Sequence, residues 1–390
     1  MTRHIARRDV MRTGGGLLSA LALDGCVGGP PRQAATLPPV RASMDRLIKI
    51  TVCTRPFRAD GPRLDVERIG DKTVVHNYGH GGSGWSLSWG SGTIAAGKAM
   101  ATGVREVAVI GCGALGITSA ILLQRAGAAV TIYAKDRPPQ VRSSLATGLW
   151  TPDSRICLAD RATPEFRKTW DAMRNTSFAA YQNYLGLPGD PVEWIDMYHL
   201  HGGPDRPPPL PASANPPKFA DLQADVPDDR VYSHEELTGP ANPFPGFKTS
   251  RNPAMMFNLI DYQHLLISDF LSAGGRIEMR EFHTPADFAA LTQKTLVNCT
   301  GYGARALMGD DSVIPVRGQL ARLIPQPEVN YGLVHDYVSM VPRRDGLVVQ
   351  AFGPDDGSGY GDPSTEPDRA EAEQAIATIA SIFALPSPTA

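Results

Sequence analysis

Two glycine-rich stretches hold most of the chemistry this sequence can do. At 111–116, GCGALG follows the apolar run VAVI and opens a segment of helical periodicity. In G-x-G-x-x-G spacing, Gly111 permits a tight strand-to-helix turn, and Gly113 removes a side chain where a pyrophosphate must approach backbone N–H groups. Gly116 then lets the helix pack on the strand, and Ala114 and Leu115 complete the loop. The strand before and the helix after are the context this motif requires, so the loop reads as a dinucleotide site. An acid roughly 20 residues further on should meet the adenosine ribose. That slot reads IYAKD, with Lys135 in the expected place and Asp136 one residue late, so this loop does not choose between FAD and NAD. The second stretch, HNYGHGGSGWSLSWG at 76–90, is equally rich in glycine but precedes the nucleotide loop.

Other chemistries find little support. The five cysteines are far apart, with no C-x-x-C pair, which offers neither a zinc site nor a disulfide framework. His199 and His201 lie close together without Cys or acid partners, and read as loop residues rather than metal ligands. A net charge of −2 with scattered Lys and Arg gives no footprint for nucleic acid. No apolar run is long enough to span a bilayer.

The elements that must position these loops are legible in outline. DRLIKITVCTRPFR and RLDVERIGDKTVVHNYG alternate apolar and polar residues as strands do, and TIAAGKAMA reads as a short helix. REVAVIGCGALGITSAILLQRAGAAVTIYAKD has the length and pattern of a βαβ unit. Thr163 and Pro164 open a helix carrying Phe166, Trp170, Met173 and Tyr181 at helical spacing. Proline-rich excursions at 200–218 and 238–247 are lid candidates or plain solvated loops. DYQHLLISDFLSAGG, RIEMREF, PADFAALTQ and KTLVNCTGYGA give helix, strand, helix, strand. GQLARLIP, YVSMVPRRDG and LVVQAFG suggest an antiparallel sheet, and EAEQAIATIASIFA a final helix.

HNYGHGGSGWSLSWG closely resembles the signature of the D-amino-acid oxidase family of FAD enzymes. The resemblance implies FAD as cofactor. It also implies a Rossmann-like FAD-binding domain of the glutathione-reductase-like class, interleaved with an α+β substrate domain on an antiparallel sheet. By position Gly82, Ser83, Gly84, Trp85 and Ser86 line the flavin, with the Ser86 hydroxyl near O2, and Gly81, Gly82 and Gly84 let main chain lie against the ring. RPFRADGPRLDVER resembles the strand with the substrate-binding arginine, which maps to Arg55. AKDRPPQVRSSLATGLW maps Ser143, Ser144, Gly148 and Leu149 onto cofactor positions, and Phe282 falls where a backbone contact to adenine is expected. LVNCTGYGAR resembles the return to the FAD domain and VRGQ the next substrate-domain strand. Tyr262 is the best match to an active-site tyrosine, although its helical spacing suits a core residue equally. LVVQAFG lacks the double glycine often seen in that strand.

The implied reaction is oxidative deamination of a D-amino acid to a 2-oxo acid, ammonia and hydrogen peroxide. Arg55 would anchor the carboxylate and the Gly82 carbonyl the amine, while the Cα hydrogen leaves as hydride to flavin N5. A neutral substrate side chain is expected, because no further cation is evident near Arg55 and Met255 and Met256 are apolar. Two alternatives stay open: a dehydrogenase handing electrons to a quinone or a protein, and a flavin-binding protein without turnover.

The order of motifs departs from the family and implies a circular permutation, with AMATGVRE bridging the flavin helix to the nucleotide strand. The domains are then 44–60 (arginine strand), 61–160 (FAD-binding), 161–270 (mainly substrate domain), 271–316 (return to the FAD domain) and 317–390 (substrate sheet and final helix). Residues 1–43 read as an export signal and tether. Arg7-Arg8 precedes a short apolar stretch, and LDGC resembles a lipoprotein box with Cys26 as the acylated residue. An exported, periplasmic or membrane-tethered protein is expected, or a cytoplasmic one if the signal is not processed.

Overall fold

Parallel strands buried on both faces read as continuous apolar runs, and such runs (KTVVH, EVAVI, TLVN) build the centre of the first sheet. The computed structural model describes residues 36–203, 215–223, 226, 233–353, 355 and 357–384. Strands and helices are numbered in chain order, beginning with β1 (Leu47–Phe57). The first sheet comprises β2 (Val66–Ile69), β3 (Lys72–His76), β4 (Glu106–Ile110), β5 (Ala129–Ala134), β9 (Arg276–Met279) and β10 (Thr295–Asn298), in the order β2-β3-β10-β4-β5-β9. All neighbours are parallel except β2 and β3. Because β3, β10 and β4 run the same way, the loops that follow them leave one edge of the sheet. That edge is where open α/β sheets bind ligands.

Two helices, α1 (Gly84–Met100) and α2 (Ala114–Arg125), layer against this sheet, and a third, α3 (Pro164–Tyr181), packs on α1. α1 lies between α2 and α3. Its sequence, GWSLSWGSGTIAAGKAM, is buried on nearly every side, which explains its lack of amphipathic periodicity. The expected short helix at TIAAGKAMA is thus the second half of a longer one that begins inside the glycine loop. Small residues allow the close approach: a Cβ on Gly92 would come within 3.0 Å of Leu122, and one on Gly90 would overlap the α3 backbone at Met173. α3 starts as the sequence indicates, with the Thr163 hydroxyl accepting from the Phe166 amide at 3.2 Å and Pro164 in the first turn.

The second sheet has the order β1-β11-β14-β13-β12-β6-β8-β7. Its further members are β6 (Val192–His201), β7 (Glu235–Leu237), β8 (Lys248–Phe257), β11 (Ile314–Leu323), β12 (Tyr331–His335), β13 (Val338–Arg343) and β14 (Gly346–Ala351). It is antiparallel save for the β12–β6 pair. α6 (Arg369–Phe383) packs on β11, β13 and β14. α5 (Ala304–Met308) follows β10.

Several expectations need correction. Segment 161–270 divides between the two sheets: β6 to β8 join the second, whereas α3 and α4 (Leu259–Ser272) pack on α1 and α2. The reason is an aromatic core in which Tyr181, Tyr184, Phe257, Tyr262 and Phe270 close over the nucleotide layer. PADFAALTQ forms a 3-10 turn at Pro285–Ala290, held by a Thr284–Asp287 capping box. Residues 36–43 do not hang free as a tether. Val40 and Ala42 are buried with α6 and the second sheet, and the Pro38 carbonyl accepts from the Tyr331 hydroxyl at 2.6 Å. Cys26 and the signal-like stretch lie outside the described residues, as does most of the 200–218 excursion. Among the described residues no helix is long and apolar enough to cross a membrane.

The docked segment gives a first prediction. Val40→Asp places a carboxylate in that apolar contact and should destabilise the protein by at least about 2 kcal/mol. A melting temperature equal to the parent's would show that residues 36–43 do not belong to the fold.

Candidate active site

The two glycine loops emerge side by side. The Asn77 amide donates to the Asn298 carbonyl at 2.8 Å, and the Cys299 amide to the Ile110 carbonyl at 2.8 Å, so β10 ties the end of β3 to the end of β4. Gly111 turns with φ +107°, and a Cβ there would sit 2.6 Å from the Cys299 carbonyl. A Cβ on Gly116 would overlap the Gly111 carbonyl. Gly113 differs, since its Cβ would meet only the Ser143 hydroxyl, at 3.3 Å. Two of the fingerprint glycines therefore serve the chain, and the middle one leaves bare backbone at the start of α2.

Segment 142–151 runs between the N-termini of α1 and α2. The Ser143 hydroxyl accepts from the Ala114 amide at 3.1 Å, and the Ser143 carbonyl accepts from the Trp85 indole at 2.9 Å. The Ser144 hydroxyl donates to Gln263 Oε1 at 2.7 Å, leaving buried Gln263 Nε2 without a partner. Gly148 has φ +94°, and a Cβ there would stand 2.8 Å from the Phe257 carbonyl. Leu149 bridges Met256, extending β8 by one short pairing. The Trp150 indole and Thr151 amide donate to the Ser86 carbonyl and hydroxyl at 3.1 and 2.7 Å.

The flavin-like loop is held just as closely. The Gly81 amide donates to the Pro56 carbonyl at 2.8 Å, which fixes the loop to the residue after Arg55. A Cβ on Gly81 would overlap the Arg155 carbonyl, and one on Gly82 would clash with Ser154. Glycine at these two positions is thus required by chain-to-chain contact, whereas a Cβ on Gly84 would meet nothing within 4 Å. The Ser83 hydroxyl donates to the Ser154 carbonyl at 3.1 Å, and Trp85 is buried in the core. The hydroxyl of Ser86, expected near a flavin oxygen, is buried and already receives the Thr151 amide. His80 is buried with neither ring nitrogen bonded, and burial lowers its pKa to about 3, so the ring is neutral.

Arg55 lines a cavity of about 210 Å³ together with Arg155, Arg317, Gln319, Gln350, Phe352 and Glu371. Its guanidinium lies against Gly318 and donates to the Arg317 carbonyl at 3.1 Å. Among the described residues it has no carboxylate partner, and burial lowers its pKa. Arg317 pairs with Glu371 at 3.1 Å. The expectation that no further cation lies near Arg55 is therefore wrong. Met255 and Met256 are buried in the core rather than in this wall, so both grounds for a neutral substrate side chain fail. Arg317 stood in the VRGQ stretch that sequence reading took only as a strand. Gln350 and Phe352 occupy the wall where the double glycine is missing.

Tyr262, the candidate active-site tyrosine, does not line the Arg55 cavity. It is fully buried, its hydroxyl accepts from the Trp89 indole at 2.8 Å, and it packs against Tyr184 and Phe257. Lys135 and Asp136 follow β5 in exposed positions, with Lys135 3.5 Å from Glu281. Phe282 packs on Tyr133 and Phe288 beside that strand end.

The chain resembles known proteins over a large part of its length. The model of a family described as DAO, FAD dependent oxidoreductase, matches residues 106–389. The chain is 30% identical over 280 residues to a D-amino-acid oxidase of Rubrobacter xylanophilus, covering 69% of this chain and 74% of that one. It is 26% identical over 292 residues to a D-amino-acid oxidase of Dictyostelium discoideum, covering 70% and 72%. Among solved structures it is similar to glycine oxidase from Geobacillus kaustophilus, with a TM-score of 0.45, 14% identity, and coverage of 70% of this chain and 76% of that one.

The residues present suit FAD. Bare backbone at Gly113 and Gly84 opens at two helix N-termini, where the partial positive charge of the helix favours a pyrophosphate and an electron-rich ring edge. Gly84→Ala should therefore leave the melting temperature of the apoprotein unchanged and raise its dissociation constant for FAD tenfold or more. An unchanged FAD affinity would remove Gly84 from the cofactor site.

Proposed function

The chain belongs to the FAD-dependent oxidoreductase family of DAO type, and from that membership we propose that it oxidatively deaminates D-amino acids. The products are a 2-oxo acid, ammonia and hydrogen peroxide. The observation that carries this reading is Arg55, a guanidinium without a carboxylate partner among the described residues, lining a cavity on the strand that holds Gly81.

Bound FAD would supply a hydride acceptor for the substrate Cα–H and an outlet for the electron pair to oxygen, and water would hydrolyse the released imino acid to the 2-oxo acid and ammonia. The chain's part is to bind and orient. Arg55 holds the substrate carboxylate in a bidentate pair, strengthened by the low polarity that burial creates around it. Its planar fork fixes direction as well as position, which a lysine would not do. The Gly82 carbonyl accepts from the substrate amine, and no donor among the described residues competes for it. With carboxylate and amine both held, the Cα–H has one direction left, so orientation replaces a protein base. Arg317 keeps its charge engaged with Glu371 and shapes the wall.

The order of motifs belongs to this reading: the chain is a circular permutation of the family's arrangement. Three observations support it. The family match begins at residue 106, the first residue of β4, although the flavin-like loop precedes it. α1 ends at Met100, so a short turn suffices to reach β4. Val40, Ala42, Ile379 and Ile382 share one apolar cluster, which brings the outer ends of the described chain together.

Both the role of Arg55 and the chain order can be tested. Arg55→Ala removes one partner of a buried charge pair, a loss of about 2–5 kcal/mol, so kcat/KM should fall by roughly 30-fold to 10³-fold or more. Anaerobic bleaching by acidic and neutral D-amino acids, with L-enantiomers beside them, reads this directly, and aerobic peroxide release reads the acceptor. A variant bleached as readily as its parent would sink the assignment of Arg55, and bleaching without peroxide would replace oxygen by another acceptor. For the order, a chain opening at Gly103 and joining Ala384 to Thr36 through a glycine linker should fold, bind FAD and keep activity. If it fails to fold, the bridge at 101–105 is a structural necessity and the permutation reading falls.

A further inference from the structure

Asp345 sits between two arginines, and one of them reaches the cofactor loop. The Arg343 side chain is fully buried. Its Nε and Nη2 donate to the two Asp345 carboxylate oxygens at 2.9 and 2.7 Å, a bidentate pair. Arg322 Nη1 lies 2.7 Å from the same carboxylate. The remaining Arg343 nitrogen, Nη1, donates to the Ala146 carbonyl at 2.8 Å. Arg343 Cδ also underlies Gly148, where a Cβ would stand 3.1 Å away. A second tie joins the same loop to the same hairpin, since the Thr147 hydroxyl bonds Gln350 Oε1.

A guanidinium buried this deeply is costly unless all its donors are used. Asp345 alone would satisfy one edge, yet the side chain spends another donor on a loop from a different sheet. Segment 146–149 has little else to fix it from that side: one pairing of Gly148 with Phe257 and the Leu149–Met256 bridge hold its opposite edge. The hairpin that delivers Arg343 continues along β14 into Gln350, Ala351 and Phe352, which line the Arg55 cavity.

We propose that Arg343 is a positioning residue for the cofactor. It fixes the backbone of 146–149 against the bound flavin and ties that backbone to the substrate wall, so that cofactor and substrate sites keep one spacing. The proposal rests on the reading of this loop as FAD-contacting. Asp345 holds the guanidinium in plane, and Arg322 holds the Asp345 carboxylate in place.

The test titrates apoprotein with FAD below the melting temperature of every variant and records the visible absorption and circular dichroism of the bound flavin. Arg343→Lys keeps the charge but loses the fork, and should raise the FAD dissociation constant at least tenfold and alter the flavin spectrum. Thr147→Val removes the second tie without burying a charge, and should raise it two- to fivefold. Arg344→Met, on the exposed neighbour paired with Asp190, should leave affinity and spectrum as in the parent. FAD affinity within twofold of the parent and an unchanged spectrum in both Arg343→Lys and Thr147→Val would overturn the proposal. So would a shift of the same size in Arg344→Met, which would make the effect one of general stability. A parent apoprotein that takes up no FAD would instead overturn the cofactor reading on which the proposal stands.

Discussion

Ser143 is the hinge on which the site depends. Its hydroxyl engages the first amide of α2 and its carbonyl engages the Trp85 indole in the first turn of α1. Two helices thus point their positive ends at one short segment of chain. Such N-termini leave amides unsatisfied by their own helix, and an anion or an electron-rich ring is the natural partner for what Ser143 does not cover. The remaining architecture keeps those two ends together: parallel strands β3, β10 and β4 set their spacing, and small residues on α1 let it lie close to α2 and α3.

Close approach explains most of the glycines in the two loops, and it separates two kinds. Gly81, Gly82, Gly111 and Gly116 are needed because another part of the chain occupies the space of a side chain. Gly84 and Gly113 have no such neighbour beyond the Ser143 hydroxyl, so their bare backbone faces room for something else. A signature rich in glycine therefore mixes folding and binding requirements, and only geometry sorts them. Arginine divides similarly. Arg343 spends its donors on Asp345 and a backbone carbonyl, whereas Arg55 faces the cavity with one carbonyl bond.

Much of this was legible in the residues. The βαβ unit at 106–134, the Thr163–Pro164 helix start and the strand of Arg55 followed from local pattern, because each depends on residues close in sequence. What was hidden depended on contacts from afar. Tyr262 has a spacing that suits either a core or a site, and the indole of Trp89, distant in sequence, decides for the core. The Ser86 hydroxyl accepts from the Thr151 amide, a contact from 65 residues away that no local pattern announces. The cations beside Arg55 come from segments around 155 and 317, which no local pattern would bring together. Residues 36–43 read as a tether because proline and small residues dominate them, yet Val40 and Ala42 are buried and hydrogen bonds with Tyr331, Gln326 and Glu328 hold Pro38, Pro39 and Arg41.

The chain order is consistent with this picture because the site constrains edges, not sequence. Both glycine loops must leave the same edge of one sheet, and that holds for any order in which β3, β10 and β4 run parallel. The connections may then be cut and rejoined wherever ends lie close on the surface. The cluster shared by Val40 and α6 offers one such place, and the short turn from α1 to β4 another. Moving the cut changes loop-closure entropy only slowly with length, whereas separating Arg55 from the glycine loop would break the Pro56–Gly81 bond that sets their distance. The strand of Arg55 and the loop after β3 accordingly stay together in this chain, as the one block that the proposed permutation moves.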